Sequence, residues 1–171
     1  DANSAIGQGF VTASPMQMAV ATSAVVTDGT IFRPRLVEGR RKDNGSKKSE
    51  HLQKYISKSR QVKVNPKYFA CIKDGMRFAM QEGTAASSGG YALGVAGKTG
   101  TVENVPTIDN PNGLNHCWFT GYAPYGYSDN WTAEPLVVTV FVEKSGGYGG
   151  AIAAPVAVKV FEAWNKISAR E

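Results

Sequence analysis

The sequence predicts an α+β domain, in which an antiparallel sheet of at least three strands is flanked by helices. Two observations predict this class. Helical periodicity and strand-like alternation fall in separate blocks, in the order helix, short strand, basic stretch, helix, three strands and helix. The 171 residues, 42% hydrophobic and 19% charged, are also enough to bury one sizeable core. A three-stranded sheet is thin for so many apolar residues, so we expect further chain to complete it.

The first predicted helix begins after Ser14. Ser14 is a good N-cap, and Pro15 suits the first helical position because its missing N–H needs no partner there. The residues that follow carry almost no charge, so we expect this helix to be largely buried. Asp28 and Gly29 are expected to end it.

A short strand is predicted over residues 30–37, with Pro34 at an edge position because proline cannot donate to a neighbouring strand. Residues 40–63 follow as a basic surface insertion. Their one aromatic residue, Tyr55, and their glycine and serines are typical of a solvated loop rather than of a nucleic-acid site. The basic residues are Arg40, Arg41, Lys42, Lys47, Lys48, Lys54, Lys58, Arg60 and Lys63.

The second predicted helix spans residues 66–82, with Asn65 as its N-cap. Three strands are then predicted at residues 93–102, 117–123 and 136–143, each flanked by turn residues. Consecutive strands joined by loops of this kind usually pair antiparallel.

The chain closes with an amphipathic helix predicted over residues 152–167. Its apolar face is expected to contain Ile152, Val156, Val160, Phe161 and Trp164. Neither a signal peptide nor a membrane span is recognisable in the sequence, so we expect any membrane anchor to lie outside this chain.

The two cysteines, Cys71 and Cys117, form no zinc or disulfide pattern, since neither has a second cysteine or histidine at ligand spacing. His116 adjoins Cys117, but neighbouring residues of a strand point to opposite faces. We therefore expect no metal site and interpret both cysteines as small buried hydrophobic residues.

The densest chemical signal is Lys98-Thr99-Gly100, followed by Thr101. It combines a cation, two hydroxyl groups and a glycine that lets another molecule approach the backbone. On a strand at the edge of a sheet, free backbone groups would pair with an extended peptide while the lysine and threonines attract a terminal carboxylate. The triplet is therefore a candidate binding strand for a peptide end.

Two other interpretations stay open on these residues alone. One is a hairpin turn with a solvated lysine, because turns commonly contain such residues. The other is a phosphate-binding loop. This loop is disfavoured because Ala92 stands where its first glycine should be and Pro106 interrupts the segment that should be helical.

Four segments in order match one family: residues 6–19 read IGQGFVTASPMQMA, residues 75–85 read GMRFAMQEGTA, residues 96–101 read AGKTGT and residues 118–124 read WFTGYAP. With these segments the chain resembles class B penicillin-binding proteins, the transpeptidases of bacterial cell elongation and division. The resemblance implies the β-lactamase/transpeptidase-like fold. It also implies that residues 1–171 are the C-terminal half of a single transpeptidase domain.

In this family a serine, activated by a lysine, attacks the penultimate D-alanine carbonyl of a stem peptide, and an amine of a neighbouring strand resolves the acyl-enzyme. The resemblance implies that Lys98 supports the electrostatics and the proton relay, and that the Thr99 and Thr101 hydroxyls hold the carboxylate of substrate or drug. It also implies that the Thr101 N–H is an oxyanion-hole donor. Gly100 completes the substrate-binding strand.

The family's nucleophile is not expected in this chain. No serine is followed three residues later by a lysine, so the Ser-x-x-Lys motif is missing. Ser128-Asp129-Asn130 spells the family's second motif, but it follows Lys98 instead of preceding it and consists of ordinary turn residues. We interpret it as a turn and predict that this chain alone is inactive.

The resemblance implies no cofactor. Its implied partners are the D-Ala-D-Ala end of a peptidoglycan stem peptide, β-lactam antibiotics and the N-terminal half of the same domain, with no nucleic acid. The implied location is the periplasmic or extracytoplasmic face of the inner membrane. The alternative function is a non-catalytic transpeptidase-like module that binds peptidoglycan.

Overall fold

The computed structural model describes residues 12–40, 53–54, 58–104, 106–126 and 128–168. The glycine-rich residues 6–10 and most of the basic insertion lie outside this part. Three α-helices are described, α1 (Pro15–Val26), α2 (Pro66–Gln81) and α3 (Ala153–Ser168), together with a short 3₁₀-helix (Ala86–Ser88). The described strands are β1 (Thr30–Phe32), β2 (Gly39–Arg40), β3 (Gln53–Lys54), β4 (Ser59–Gln61), β5 (Ala96–Val102), β6 (His116–Ala123) and β7 (Leu136–Val142).

The three long strands form one antiparallel sheet in the order β5-β6-β7, as predicted. Lys98 on β5 lies opposite Thr120 on β6, and Thr120 lies opposite Thr139 on β7. Among the described residues no strand pairs with the outer side of β5, so β5 is an edge strand. It begins three residues later than predicted because residues 91–94 form a turn in which Gly94 has a φ of +82°.

Helices cover both faces of this sheet. On one face, Phe119 of β6 is buried in the main core together with Phe161 of α3. On the other face, Tyr122 of β6 forms a smaller core with Met76 of α2, flanked by Val26 of α1. The sheet is therefore the middle layer of three, and β5 lies at its open side.

The start of α1 agrees with the prediction. The Ser14 hydroxyl accepts from the Gln17 N–H (3.2 Å), and the Gln17 amide oxygen accepts from the Ser14 N–H (2.7 Å), which is a reciprocal capping box. The predicted burial is wrong for much of this helix, since only Thr22 and Ala24 of its residues are buried and Met16 is exposed. Only one side of α1 packs on the sheet. Because the helix carries no charged residues, its sequence did not indicate which side faces solvent.

The short strands form two antiparallel pairs, β1 with β4 and β2 with β3. The described end of the basic insertion therefore returns beside β1, and β4 is exposed. The predicted strand over residues 30–37 is wrong beyond Phe32. Pairing continues only through the Arg33 N–H, which donates to the Lys58 carbonyl (3.0 Å), because Pro34 has no N–H to offer.

The α3 helix packs with a different face from the one predicted. Val156, Val160 and Trp164 are exposed, whereas only Ile152 and Phe161 of the predicted set lie in or against the core. Small side chains let the helix backbone approach the sheet closely, so they occupy the buried side in place of larger ones. The buried residues of α3 are Ala153, Ala154, Ala157, Val158 and Phe161.

The two cysteines differ in their surroundings. Cys117 on β6 is buried, as predicted, but Cys71 on α2 is exposed. Cys71 follows the buried Phe69 by two residues, which is about half a turn around the helix and turns it away from the core. No helix within the described ranges is long and apolar enough to cross a membrane.

Candidate functional site

The Lys98-Thr99-Gly100 triplet lies in the middle of β5. Residues inside a seven-residue strand are in neither a hairpin turn nor a loop before a helix, so both alternative interpretations of the triplet are wrong. The edge position of β5 is the one that the peptide-binding interpretation requires. The described fold therefore leaves the triplet beside an open side of the sheet.

Lys98 projects from the sheet face on which α1 packs. It lies opposite Thr120, whose hydroxyl oxygen is 2.7 Å from that of Thr22 on α1 and 2.8 Å from that of Thr139 on β7. The Lys98 side chain is exposed, and its Nζ donates to the Thr99 carbonyl (2.7 Å). The cation is thus held next to the backbone of its own strand, beside a row of hydroxyl groups.

Thr99 and Thr101 project from the opposite face of β5, as the strand periodicity requires. The Thr99 hydroxyl oxygen is 2.6 Å from that of Thr84, which precedes β5 in the chain. The Thr101 hydroxyl accepts from the Gly149 N–H (3.2 Å) in the loop after β7. The hydroxyl groups of Thr99 and Thr101 therefore each have a polar partner on this face of the strand.

The loop after β7 approaches β5 very closely. A Cβ atom on Gly150 would collide with the Thr84 carbonyl oxygen, and one on Gly149 would lie 2.5 Å from the Gly100 carbonyl oxygen. Only glycine allows this approach without displacing backbone. The two glycines therefore fix the distance between the loop and the triplet.

The same loop is held at its other end by the two adjacent residues of β6. The His116 Nδ1 accepts from the Lys144 N–H (2.9 Å), and the Cys117 Sγ donates to the Gly147 carbonyl (3.2 Å). These side chains point to opposite faces, so they cannot share a metal ion. In the part of the chain that the structure describes, no group of three or more His, Cys, Asp or Glu side chains is placed to hold a metal.

Arg77 of α2 fixes the start of β5. Its guanidinium donates to the Tyr91 carbonyl (3.0 Å) and to the Val95 carbonyl (3.1 Å). The guanidinium carbon also lies 3.6 Å from the centre of the Tyr91 ring, within the range of a cation–π contact. Val95 immediately precedes the strand, so α2 holds the point at which the chain enters the site.

Two tyrosines lie beside Arg77. The Tyr125 hydroxyl donates to the Asp74 carboxylate (2.6 Å), and this hydrogen bond is the main cause that raises the pKa of Tyr125. Burial is the main cause that raises the pKa of Tyr122, and the charge of Asp74 adds to it. Both phenols therefore remain protonated at neutral pH, with Tyr125 acting as a hydrogen-bond donor and Tyr122 as a packing residue of the smaller core.

An aromatic surface adjoins Lys98 on its own face of the sheet. Trp118 lies opposite Gly100, and Phe141 lies opposite Trp118 with a ring-centre distance of 4.5 Å. Gly100 has no side chain to cover these rings. An apolar, half-exposed surface therefore borders the cation.

Ser128-Asp129-Asn130 lies in the connection between β6 and β7, where residues 129–130 form a turn. The Ser128 carbonyl accepts from the Trp131 N–H (3.1 Å), and the Asn130 amide donates to the Ala92 carbonyl (3.0 Å). The interpretation of this segment as a turn is confirmed.

The structure adds residues that the motif alone did not single out. Thr84 belongs to the matched segment at residues 75–85, but its sequence offers no sign of a hydroxyl contact across to β5. Gly149 and Gly150 belong to a glycine-rich stretch that reads as an ordinary loop. The density of glycine there was the one available signal of a close approach.

Comparisons with known proteins identify the family and the fold. A family profile described as the penicillin binding protein transpeptidase domain matches residues 1–162. The chain is 34% identical over 172 aligned residues to the peptidoglycan D,D-transpeptidase MrdA of Haemophilus influenzae, covering 92% of this chain and 24% of that protein. It is 32% identical to stage V sporulation protein D of Bacillus subtilis, covering 91% of this chain and 23% of that protein.

The crystal structure of PBPA from Mycobacterium tuberculosis is similar, with a TM-score of 0.72 and 26% identity over 95% of this chain and 34% of that one. Penicillin-binding protein A of M. tuberculosis also matches with a TM-score of 0.72 in the structure of its ceftriaxone acyl-enzyme complex. The chain spans about a quarter of the length of the curated relatives that it matches.

Proposed function

Because the chain belongs to the penicillin-binding protein transpeptidase domain family and has the β-lactamase/transpeptidase-like fold, we propose that it is the C-terminal half of a peptidoglycan D,D-transpeptidase domain. In this proposal β5 is the substrate-binding wall of the active site, and the serine nucleophile and its lysine belong to the N-terminal half of the same domain. The observation that carries the proposal is the Lys98-Thr99-Gly100 triplet on an open edge strand.

The proposed reaction has two steps. A serine oxygen attacks the penultimate D-alanine carbonyl carbon of a stem peptide, the peptide C–N bond breaks, and the terminal D-alanine leaves with a proton on its amine. An amine of a second stem peptide then attacks the ester carbon, and the serine oxygen leaves and regains a proton. β-Lactams would enter the first step as mimics of the D-Ala-D-Ala end.

The roles proposed for β5 follow from its chemistry. Lys98 stabilises negative charge and supports the proton relay around the serine of the Ser-x-Asn motif, which lies in the N-terminal half, while the Thr99 and Thr101 hydroxyls hold the carboxylate of the substrate or drug. The Thr101 N–H is one of the two oxyanion-hole donors. The hydrogen bond from Lys98 Nζ to the Thr99 carbonyl supports the role of the Thr101 N–H, because it indicates that the Thr99 carbonyl points to the open edge of the sheet. A strand residue directs its N–H and C=O to the same side, and every second residue repeats that side. The backbone N–H of Thr101 therefore points to the open edge as well.

The surroundings of the site follow from the same proposal. The substrate is the D-Ala-D-Ala end of peptidoglycan, which places the domain on the periplasmic or extracytoplasmic side of the inner membrane. The aromatic surface of Trp118 and Phe141 beside Gly100 would face the nucleophile-bearing half. The proposal keeps residues 40–63 as a basic surface insertion within this domain.

The experiment that tests the proposal is acylation of the full-length protein by a fluorescent penicillin. We expect the wild type to be labelled and Lys98→Ala to be labelled at least about a hundredfold more slowly, the lower range of effects for a group that assists proton transfer. Lys144→Ala is the matched control. Lys144 is an exposed lysine at the end of β7 whose Nζ lies 3.9 Å from a Glu143 carboxylate oxygen, and its loss should leave labelling unchanged. Equal labelling of the Lys98 variant would refute the assigned role.

The second candidate function is a non-catalytic module that binds peptidoglycan. It is favoured by the lack of any Ser-x-x-Lys motif in this sequence. The two candidates differ in one readable feature, since the catalytic one requires Ser-x-x-Lys in the gene upstream of Asp1. An unlabelled full-length protein that still sediments with purified peptidoglycan would support the module.

A further inference from the structure

We propose that Thr84 is a positioning residue, whose hydroxyl donates to the Thr99 hydroxyl and so directs the Thr99 proton toward the carboxylate of the bound ligand. The inference rests on the proposed function, because it requires Thr99 to hold that carboxylate. It concerns a residue outside the triplet, in the loop between α2 and β5.

The observation is the contact between two hydroxyl groups. The Thr84 and Thr99 oxygens are 2.6 Å apart, and either one has the geometry to be the donor. A hydroxyl has one proton and two acceptor lone pairs. Whichever threonine accepts in this pair therefore keeps its own proton for a third group, and the donor of the pair does not.

Thr101 indicates which arrangement a carboxylate needs. Its hydroxyl accepts from the backbone N–H of Gly149, and an N–H group is always the donor. The Thr101 proton is therefore available to an anion. The Thr99 hydroxyl can donate its proton to the same carboxylate only if it accepts a hydrogen bond from the Thr84 hydroxyl. Thr84 is then the donor of the pair.

The backbone of Thr84 is held in place for this task. Gly150 packs against the Thr84 carbonyl so closely that a Cβ atom there would collide with it. On either side, the Gly83 N–H donates to the Phe78 carbonyl and the Ala85 N–H to the Ala79 carbonyl, each at 3.1 Å. Thr99 has only 9% of its surface exposed, so its side chain is equally confined. A donor fixed in advance requires no rearrangement when the ligand binds.

The test uses the full-length protein and two ligands, a penicillin with its free carboxylate and the methyl ester of the same penicillin. We expect Thr84→Val, which keeps the shape but loses the hydroxyl, to lower the second-order acylation rate for the free acid about three- to tenfold, the range of one hydrogen bond. The rate for the ester should change less than about twofold, because the ester carries no anion for Thr99 to bind. Thr84→Ser keeps the hydroxyl and should retain the wild-type rate.

Two further variants make the result decisive. Thr84→Ala repeats the test if valine lowers the thermal midpoint, and adding Thr84→Val to a Thr99→Val protein should cause no further loss with the free acid. An equal loss with acid and ester would show a merely structural role and overturn the inference, as would an unchanged rate with the acid. A wild type that neither ligand acylates would instead reject the proposed function, and this inference would be rejected with it.

Discussion

Single residues determine how closely the loop after β7 approaches the triplet. Gly150 is buried and its missing side chain makes room for the Thr84 carbonyl. Thr84 in turn contacts Thr99, so any change that pushes the loop outward also shifts a partner of β5. The stability of this chain and the position of its candidate site therefore depend on the same glycine.

We predict that Gly150→Ala lowers the free energy of unfolding by about 2 to 3 kcal/mol, because a methyl group there must displace backbone. The matched control is Gly75→Ala in the middle of α2, where an added Cβ would find no atom within 4 Å. This change should raise the free energy of unfolding by up to about 1 kcal/mol, since alanine favours the helix. Urea unfolding of the two variants measures both, and similar effects from the two substitutions would contradict the prediction.

The α3 helix shows how an element chooses its buried side. Alanines on that side bring the helix backbone close to the sheet, and Val158 and Phe161 fill the remaining space. The larger residues Val156 and Val160 lie on the outside. Trp164 stays partly exposed and donates its ring N–H to the Glu134 carbonyl (3.0 Å), which ties the helix to the segment before β7.

Two valines of this helix give a direct comparison. Val158 is 6% exposed and Val160 is 43% exposed. We predict that Val158→Ala lowers the free energy of unfolding by about 2 kcal/mol, from two lost methyl groups and the cavity they leave. Val160→Ala should change it by less than about 0.5 kcal/mol. Chemical unfolding measures both, and a larger loss at Val160 would mean that the sequence-based choice of face was right after all.

At the scale of the whole molecule, the proposed function assigns the binding strand to this chain and the nucleophile to the other half of the domain. The sheet supplies Lys98, Thr99 and Thr101 on one edge strand. Covalent catalysis also needs a nucleophile and its base, and binding groups alone give only a small residual effect.

We predict that this chain alone forms no covalent adduct with a fluorescent penicillin. Adding the separately expressed N-terminal half of the parent domain should restore labelling, because the two halves together supply the serine and the binding strand. Gel fluorescence after denaturation measures the adduct. A labelled band from this chain alone would mean that one of its own serines is a nucleophile. The assignment of the nucleophile to the N-terminal half would then be wrong.

The sequence by itself determined the order of the three helices and the three long strands, the antiparallel sheet, the caps at Ser14 and Asn65 and the strand that carries Lys98-Thr99-Gly100, because these follow from local periodicity and short motifs. It also identified the family, since four segments match in order. It did not predict the short strands β2, β3 and β4. It did not determine the buried side of α1 or α3, the early end of β1 or the exposure of Cys71. These features depend on which faces of the helices and strands pack against each other in the folded chain.

Only the tertiary structure brought Thr84 to Thr99 and Gly149 to Thr101, pairs that lie 15 and 48 residues apart in the chain. A contact between such distant residues is set by packing of the whole fold, and no local pattern encodes it.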